Sequence, residues 1–206
     1  LLVRLANVYK RQGLYAQAEP LALRALSLRE KALGPNDLTV SESLNNLAQL
    51  YLDQGRYAQV EPLSKRALAI REKVLGMESR EVAQSLNTLG VLYLKQKQYA
   101  QAEPLLVRAL AIDEKVIGPN RPEVASGLAS LGALYVEQKR YTQAEPMLKR
   151  AVVIREKLDS DDQDSANTFN NLASVYAHQG RYALAEPLYK RALTIEEKVL
   201  GPNHPE

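Results

Sequence analysis

The sequence predicts an all-α protein built from five tandem two-helix hairpins. One tyrosine series recurs every 42 residues, shortened once to 41: Tyr9, Tyr51, Tyr93, Tyr135 and Tyr176. A second series keeps the same phase at Tyr15, Tyr57, Tyr99, Tyr141 and Tyr182. The dipeptides Glu-Pro, Arg-Ala and Glu-Lys recur once in every unit as well. Several markers in one phase indicate a repeat array rather than an irregular helical domain.

The markers divide the chain into five units that form a single repeat domain. The units span about 1–36, 37–78, 79–120, 121–161 and 162–203, and 204–206 begin a further unit. One residue is missing between Lys157 and Ala166, which explains the single shorter interval. We expect the chain to be a segment of a longer protein. Because repeat arrays normally need polar terminal caps, we also expect the end repeats of this chain to support self-association.

Each unit is predicted to contain a helix A and a helix B. In the second unit helix A runs from about Val40 to Gln54, and helix B from about Ala58 to Leu75. Gly55 and Gly76 follow the two helices, where a left-handed residue commonly ends a helix. Pro62 falls in the first turn of helix B, where a missing N–H costs little.

Small residues at fixed positions indicate where the two helices approach closely. Helix A carries Ala48, Gly90, Gly132 and Ala173 at one position, and helix B carries Ala25, Ala67, Ala109, Ala151 and Ala192 at another. Flanking tyrosines then fill the space beside these positions, so the tyrosine series are interpreted as core rather than ligand site. The repeated Lys-Arg dipeptides of helix B are interpreted as a solvated outer face offset by Glu61, Glu145 and Glu186.

Composition excludes several classes of function. The chain has 27 basic and 24 acidic residues, a net charge of +3, so no concentrated basic patch favours nucleic acid. There is no cysteine, no apolar run long enough to span a membrane, and no nucleotide-binding or nucleophile motif. His178 and His204 lack a third ligand, and the aspartates of 159–164 do not follow a calcium loop. We therefore predict no enzyme, metal or cofactor, no nucleic-acid or membrane partner, and a cytoplasmic location by default.

The motifs of the second unit resemble those of a known repeat family. The pattern Leu-x-x-Leu-Ala-x-x-Tyr, Gly-x-Tyr and Ala-Leu resembles the tetratricopeptide repeat, here carried by Leu44, Leu47, Ala48, Tyr51, Gly55, Tyr57, Ala67 and Leu68. The family's usual period is about 34 residues, and the longer period here is similar to that of kinesin light chains. The resemblance implies a right-handed α-solenoid superhelix whose helices A line the concave face.

The side of helix A opposite its core residues is the candidate site implied by that resemblance. It is rich in amides, which both donate and accept hydrogen bonds and can therefore bind the main chain of an extended peptide. The alternative is that one asparagine per unit braces the neighbouring hairpin. The candidate groove residues are Asn7, Lys10, Arg11, Asn45, Asn46, Gln49, Asn87, Val91, Lys95, Ser130, Asn170, Asn171, Ser174 and His178.

The predicted function is a protein–protein interaction scaffold that holds an extended peptide in this groove. Basic residues cluster in the first unit and near Lys95, which favours an acidic ligand, and the resemblance to kinesin light chains implies an acidic motif bearing an aromatic residue. The alternative is a structural or oligomerisation rod that assembles through its end repeats.

Overall fold

The structure, a computed structural model, describes residues 1–159 and 161–200. Within these residues there are ten α-helices and no β-strand. The helices are α1 (Leu2–Arg11), α2 (Tyr15–Leu33), α3 (Leu38–Asp53), α4 (Tyr57–Leu75), α5 (Arg80–Lys95), α6 (Tyr99–Ile117), α7 (Pro122–Glu137), α8 (Tyr141–Lys157), α9 (Gln163–His178) and α10 (Tyr182–Leu200). Odd-numbered helices are the predicted helices A and even-numbered ones the helices B. The predicted sixth unit, at 204–206, and His204 lie outside the described residues.

The helix bounds predicted for the second unit are confirmed to within two residues. Helix A begins at Leu38 because the Asp37 carboxylate accepts a hydrogen bond from the Thr39 amide at 2.8 Å, which caps its first turn. Helix B begins at Tyr57 and ends at Leu75. Gly76 follows with φ of +81°, a conformation that glycine adopts without the steric penalty of a side chain.

The hairpins group into two compact units: unit 1 comprises Leu1–Ile112 and unit 2 comprises Asp113–Glu206. In unit 1, α1 contacts α3 and α3 contacts α5, so consecutive helices A lie side by side, while α2 packs on α3 and α4 on α5. In unit 2, α7 and α8 both contact α9. The helices α2, α4 and α8 therefore each pack on their own helix A and on the next one.

The predicted close approach of helix A to helix B is confirmed at the glycines. A methyl group added at Gly90 would lie 2.6 Å from Cγ and Cδ2 of Leu106, whose side chain is fully buried. Gly132 and Leu148 repeat this pair in the fourth hairpin. In the second hairpin the equivalent residues are Ala48 and Ser64, both fully buried. A smaller residue on one helix is thus matched by a larger one on its partner.

Four members of the first tyrosine series belong to the core, as predicted, whereas Tyr9 is half-buried and packs against it. Tyr51, Tyr93, Tyr135 and Tyr176 are each at most 8% exposed. The second series begins each helix B and is only half-buried in α2, α4, α6 and α8. Its last member, Tyr182, is 70% exposed, so the interpretation as core does not hold for this residue.

We predict that Gly90→Ala lowers the free energy of unfolding by about 1–2 kcal/mol. The gain of about 1 kcal/mol in helix propensity is outweighed by the cost of overpacking against Leu106. In a Leu106→Ser background, which copies the second hairpin, the same substitution should become stabilising. Urea denaturation of the four proteins measures the coupling, and additive effects would contradict the proposed steric match.

Candidate functional site

A cavity opens between α1 and α3, on the side of helix A where the groove is predicted. It is lined by Val3, Ala6, Asn7, Lys10, Ala22, Ser43, Asn46 and Leu50. Three of the sequence-predicted residues, Asn7, Lys10 and Asn46, therefore meet around one opening. We call this feature the α1–α3 cavity.

Lys10 is held at the rim of the cavity by two partners on α3. Its ammonium donates to Gln49 Oε1 at 3.5 Å and lies 3.5 Å from Asp53 Oδ2. Neither Asn7 nor Asn46 makes a side-chain hydrogen bond to another described residue, and both are half-buried. The amides therefore retain their full hydrogen-bonding capacity for a ligand.

Three cationic side chains on α1 and α5 of unit 1 make no ion pair with any described residue. Arg4 and Arg11 stand three residues before and four residues after Asn7, which places all three on one side of α1. Lys95 is exposed at the end of α5. The two nearby carboxylates are already paired, Asp53 with Lys10 and Glu42 with Arg29. This face of unit 1 therefore carries uncompensated positive charge.

The prediction that Asn45 lines the groove is wrong. Its side chain is fully buried and its Oδ1 accepts a hydrogen bond from Thr88 Oγ1 of α5 at 3.4 Å. Asn45 Nδ2 has no hydrogen-bond partner and is inaccessible. Because successive residues differ by about 100° around a helix, Asn46 faces the cavity while Asn45 faces the neighbouring helix A. For Asn45, the bracing alternative is the one that the structure supports.

The remaining predicted residue positions on α5 are accessible to different extents. Val91 and Asn87 are half-buried, and Asn87 Oδ1 is buried without a hydrogen-bond partner among the described residues. Lys95 is exposed. Asn87 therefore has fewer accessible hydrogen-bonding groups than Asn46.

Unit 2 presents a separate polar face on α7 and α9. Asn170 is exposed, and Ser130, Asn171 and Ser174 are half-buried. His178, which ends α9, stacks on Tyr141 of α8 with ring centroids 4.8 Å apart. This face combines amides and hydroxyls with an aromatic pair.

Arginines of helix B position the first turns of the next helix A. Arg29 Nη1 of α2 donates to Thr39 O at 2.7 Å and to Ser43 Oγ at 2.9 Å. Ser43 is one of the cavity residues, so this contact fixes one wall of the α1–α3 cavity. A third contact of Arg29, with Glu42 at 3.0 Å, is more exposed.

A second contact between these hairpins joins Glu19 of α2 to Tyr51 and Arg56. Glu19 accepts a hydrogen bond from Tyr51 Oη at 3.0 Å and from Arg56 Nη1 at 2.6 Å. The hydrogen bond from Arg56 lowers the pKa of Glu19 despite the opposing effect of burial. Burial, followed by the bond to Glu19, raises the pKa of Tyr51. In the next hairpin Tyr93 donates to Glu61 at 3.0 Å, and Lys65 donates to the same carboxylate in place of an arginine.

The interpretation of the Lys-Arg dipeptides as a solvated face is correct for the lysines and incomplete for the arginines. Lys65 is exposed and pairs within its own helix with Glu61. Arg66 instead reaches the preceding hairpin, where it contacts Glu30 at 2.6 Å and Pro35 O at 2.9 Å. Arg150 makes the same two contacts in unit 2, with Glu114 and Pro119 O.

The aspartates near residue 160 cap and pair rather than converge on one point. Asp162 Oδ1 accepts from the Ser165 amide at 2.8 Å, which caps α9. Asp161 pairs with Arg191 at 2.7 Å and with Lys198 at 2.8 Å. In the described part of the chain no group of three or more metal-binding side chains is gathered. Nor does any helix there combine the length and apolar character needed to cross a membrane.

The apolar floor of the α1–α3 cavity was not predicted from the sequence. Ala22 occupies the position that Ser64, Leu106 and Leu148 occupy in the next three hairpins. A comparison of equivalent helix B positions would have revealed that the first and second hairpins carry a small residue where the third and fourth carry leucine.

Comparison with known proteins identifies the repeats. Family profiles described as tetratricopeptide repeat match residues 1–73, 81–157 and 165–206. No curated protein sequence matches the chain. The structure of BtubC (BKLC) from P. vanneervenii has 30% identity and a TM-score of 0.77, over 100% of this chain and 82% of that one. The predicted resemblance to kinesin light chain repeats is confirmed by these profiles and by the similar structure of a putative kinesin light chain.

Two further structures share the fold at lower identity. A Podosopora anserina putative kinesin light chain with nearly identical TPR-like repeats has 23% identity and a TM-score of 0.71, over 97% of this chain and 95% of that one. A Rap protein complexed with Competence and Sporulation Factor has 18% identity and a TM-score of 0.83, over 98% of this chain and 54% of that one.

We predict that Glu19→Gln reduces the loss of stability on acidification. Because the pKa of folded Glu19 is lowered, its contribution is present above the ordinary value of about 4.5 and is lost as pH falls through the folded pKa. The difference from wild type should amount to at most about 1 kcal/mol, since the pair is partly exposed. Thermal melts as a function of pH measure it. Glu156→Gln, at an exposed site, is the control, and equal effects of the two variants would contradict the prediction.

Proposed function

The chain belongs to the tetratricopeptide repeat family, whose repeats are protein–protein interaction scaffolds, and we propose that it binds an extended acidic segment of a partner along α1, α3 and α5 of unit 1. This proposal rests mainly on the α1–α3 cavity, where Asn7, Lys10 and Asn46 converge. Family members are typically non-enzymatic. The Rap protein complexed with Competence and Sporulation Factor supports the proposal only in that a similar fold carries a bound factor.

The amides provide recognition that does not depend on ligand side chains. Asn7 and Asn46 stand on neighbouring helices, and each offers donors and an acceptor to a peptide main chain. One hydrogen bond contributes only about 0.5–1.5 kcal/mol, so the affinity must come from several contacts. Unit 2 by itself offers similar polar groups to a peptide main chain, at Ser130, Asn170, Asn171 and Ser174, with His178 at the end of α9.

The charges favour an acidic ligand. Arg4, Arg11 and Lys95 have no ion pair in the described chain, whereas both nearby carboxylates are paired. Exposed charges contribute little individually, but they accelerate encounter and orient the partner. Association should therefore weaken with added salt.

We predict that Asn46→Ala weakens binding of short glutamate-rich peptides by about two- to tenfold, the loss of one net hydrogen bond. Asn45→Ala is the matched control, since it removes the same amide from the adjacent, buried position. Fluorescence anisotropy measures both affinities. If the two substitutions weaken binding equally, the amide of Asn46 has no specific role.

We also predict that the double reversal Arg11→Glu, Lys95→Glu weakens the same peptides roughly tenfold at low salt, and less at high salt. The control, Lys31→Glu with Lys73→Glu, changes the net charge equally but lies on α2 and α4. Equal losses would mean that only net charge matters.

Light scattering on the unliganded chain tests the oligomerisation rod: strong self-assembly without peptide binding would favour that alternative.

A further inference from the structure

The α1–α3 cavity has an apolar floor. The floor is formed by Ala6 of α1 and Ala22 of α2, with Val3 and Leu50 beside them. The cavity is about 10 Å³ in volume, which is space for one water molecule or one methyl group. Val3 and Leu50 offer apolar atoms to whatever enters, Ser43 adds a hydroxyl to one wall, and the rim carries Asn7, Lys10 and Asn46.

Both floor residues of the first hairpin are small, as are their fully buried equivalents Ala48 and Ser64 in the second hairpin. In the third and fourth hairpins, glycine on helix A is matched by a buried leucine on helix B, as Gly90 is by Leu106 and Gly132 by Leu148. In the first hairpin Ala6 stands at the glycine position and Ala22 at the leucine position. One added methyl group on α1 does not replace the isobutyl group lost from α2, so space remains beside α3.

We propose that this cavity receives a small aliphatic side chain, alanine or valine, of the acidic segment bound by unit 1. This inference rests on the proposed function and adds the side chain that the site selects. The amides of Asn7 and Asn46 flank the opening, so a residue whose main chain they bind would direct its side chain to the floor. A water molecule there would face mostly apolar walls, which favours its replacement by a methyl group.

Size sets the upper limit of this selectivity. A methyl group fits the volume without movement of α1 or α3, and valine can place one methyl group on the floor and the other against Leu50. An indole or phenyl ring exceeds the cavity, and close-packed helices resist the separation that it would need. The aromatic residue expected from the resemblance to kinesin light chains therefore has no place in this cavity.

The experiment uses acetylated peptides that alternate glutamate and serine around one variable central residue: glycine, alanine, valine or tryptophan. Calorimetric titration of the full chain should show binding about fourfold tighter for alanine than for glycine, and about tenfold tighter for valine. Tryptophan should give no gain over glycine. Equal affinities for the glycine and valine peptides would overturn the cavity proposal and leave the proposed function intact. Absence of binding by every peptide, in a chain that melts normally, would overturn both.

Substitutions in the first and second hairpins test whether the preference for valine arises in the α1–α3 cavity. The pair Ala6→Gly, Ala22→Leu copies Gly90 and Leu106 into the first hairpin, fills the floor, and should abolish the preference for valine. The control pair Ala48→Gly, Ser64→Leu makes the same replacement in the second hairpin and should keep it. If the first pair fails to fold, Ala22→Ser, the residue found at Ser64, should reduce the preference by placing a hydroxyl on the floor. A preference that survives filling, or that both pairs abolish, would overturn the assignment to this cavity.

Discussion

A two-helix hairpin cannot bury both of its apolar faces alone, and every other feature of this chain follows from the way in which one hairpin packs on the next. The contacts that hold this packing are specific as well as apolar. Arg29, Glu19 and Arg66 each connect one hairpin with its neighbour. Arg71 is the most buried example, at 2% exposed, and donates to Ser41 Oγ, Glu81 O and Ser85 Oγ. Burial lowers the pKa of this guanidinium, while the charges of Glu81 and Glu42 act in the opposite direction. Its hydrogen-bond partners are neutral oxygens, which satisfy the N–H groups that burial removes from water.

This packing determines which side of each helix A remains for a ligand. The core side of α3 contacts α4, and a second side contacts α5, where Asn45 is enclosed. What remains is a narrow strip that contains Asn46 and Gln49. The same geometry sets the size of the α1–α3 cavity, because Arg29 holds Ser43 in its wall while Ala6 and Ala22 leave its floor open. The binding surface that we propose for unit 1 is thus formed by stacked helices and includes no dedicated loop.

The sequence predicted the fold closely because the evidence for it is repeated five times. The helix bounds of the second repeat, the glycines that end its helices and the close approach of two helices at Gly90 were all predicted from the period and the residue sizes. Rotation about the helix axis was harder to predict. Asn45 and Asn46 are adjacent, and only the position of α5 shows which one is covered. The outer arginines posed the same difficulty, since the sequence pattern offers Arg66 a nearby glutamate in its own helix but not Glu30 of the preceding hairpin.

Side-chain amide resonances provide the most direct test of the central claim, that a strip on α1 and α3 of unit 1 binds an acidic segment. In a titration with a glutamate-rich peptide monitored by nuclear magnetic resonance, the side-chain NH₂ signals of Asn7 and Asn46 should shift progressively with peptide concentration. The NH₂ signal of Asn45, enclosed beside α5, should shift far less. Shifts confined to helices α2 and α4, with Asn7 and Asn46 unperturbed, would contradict the account.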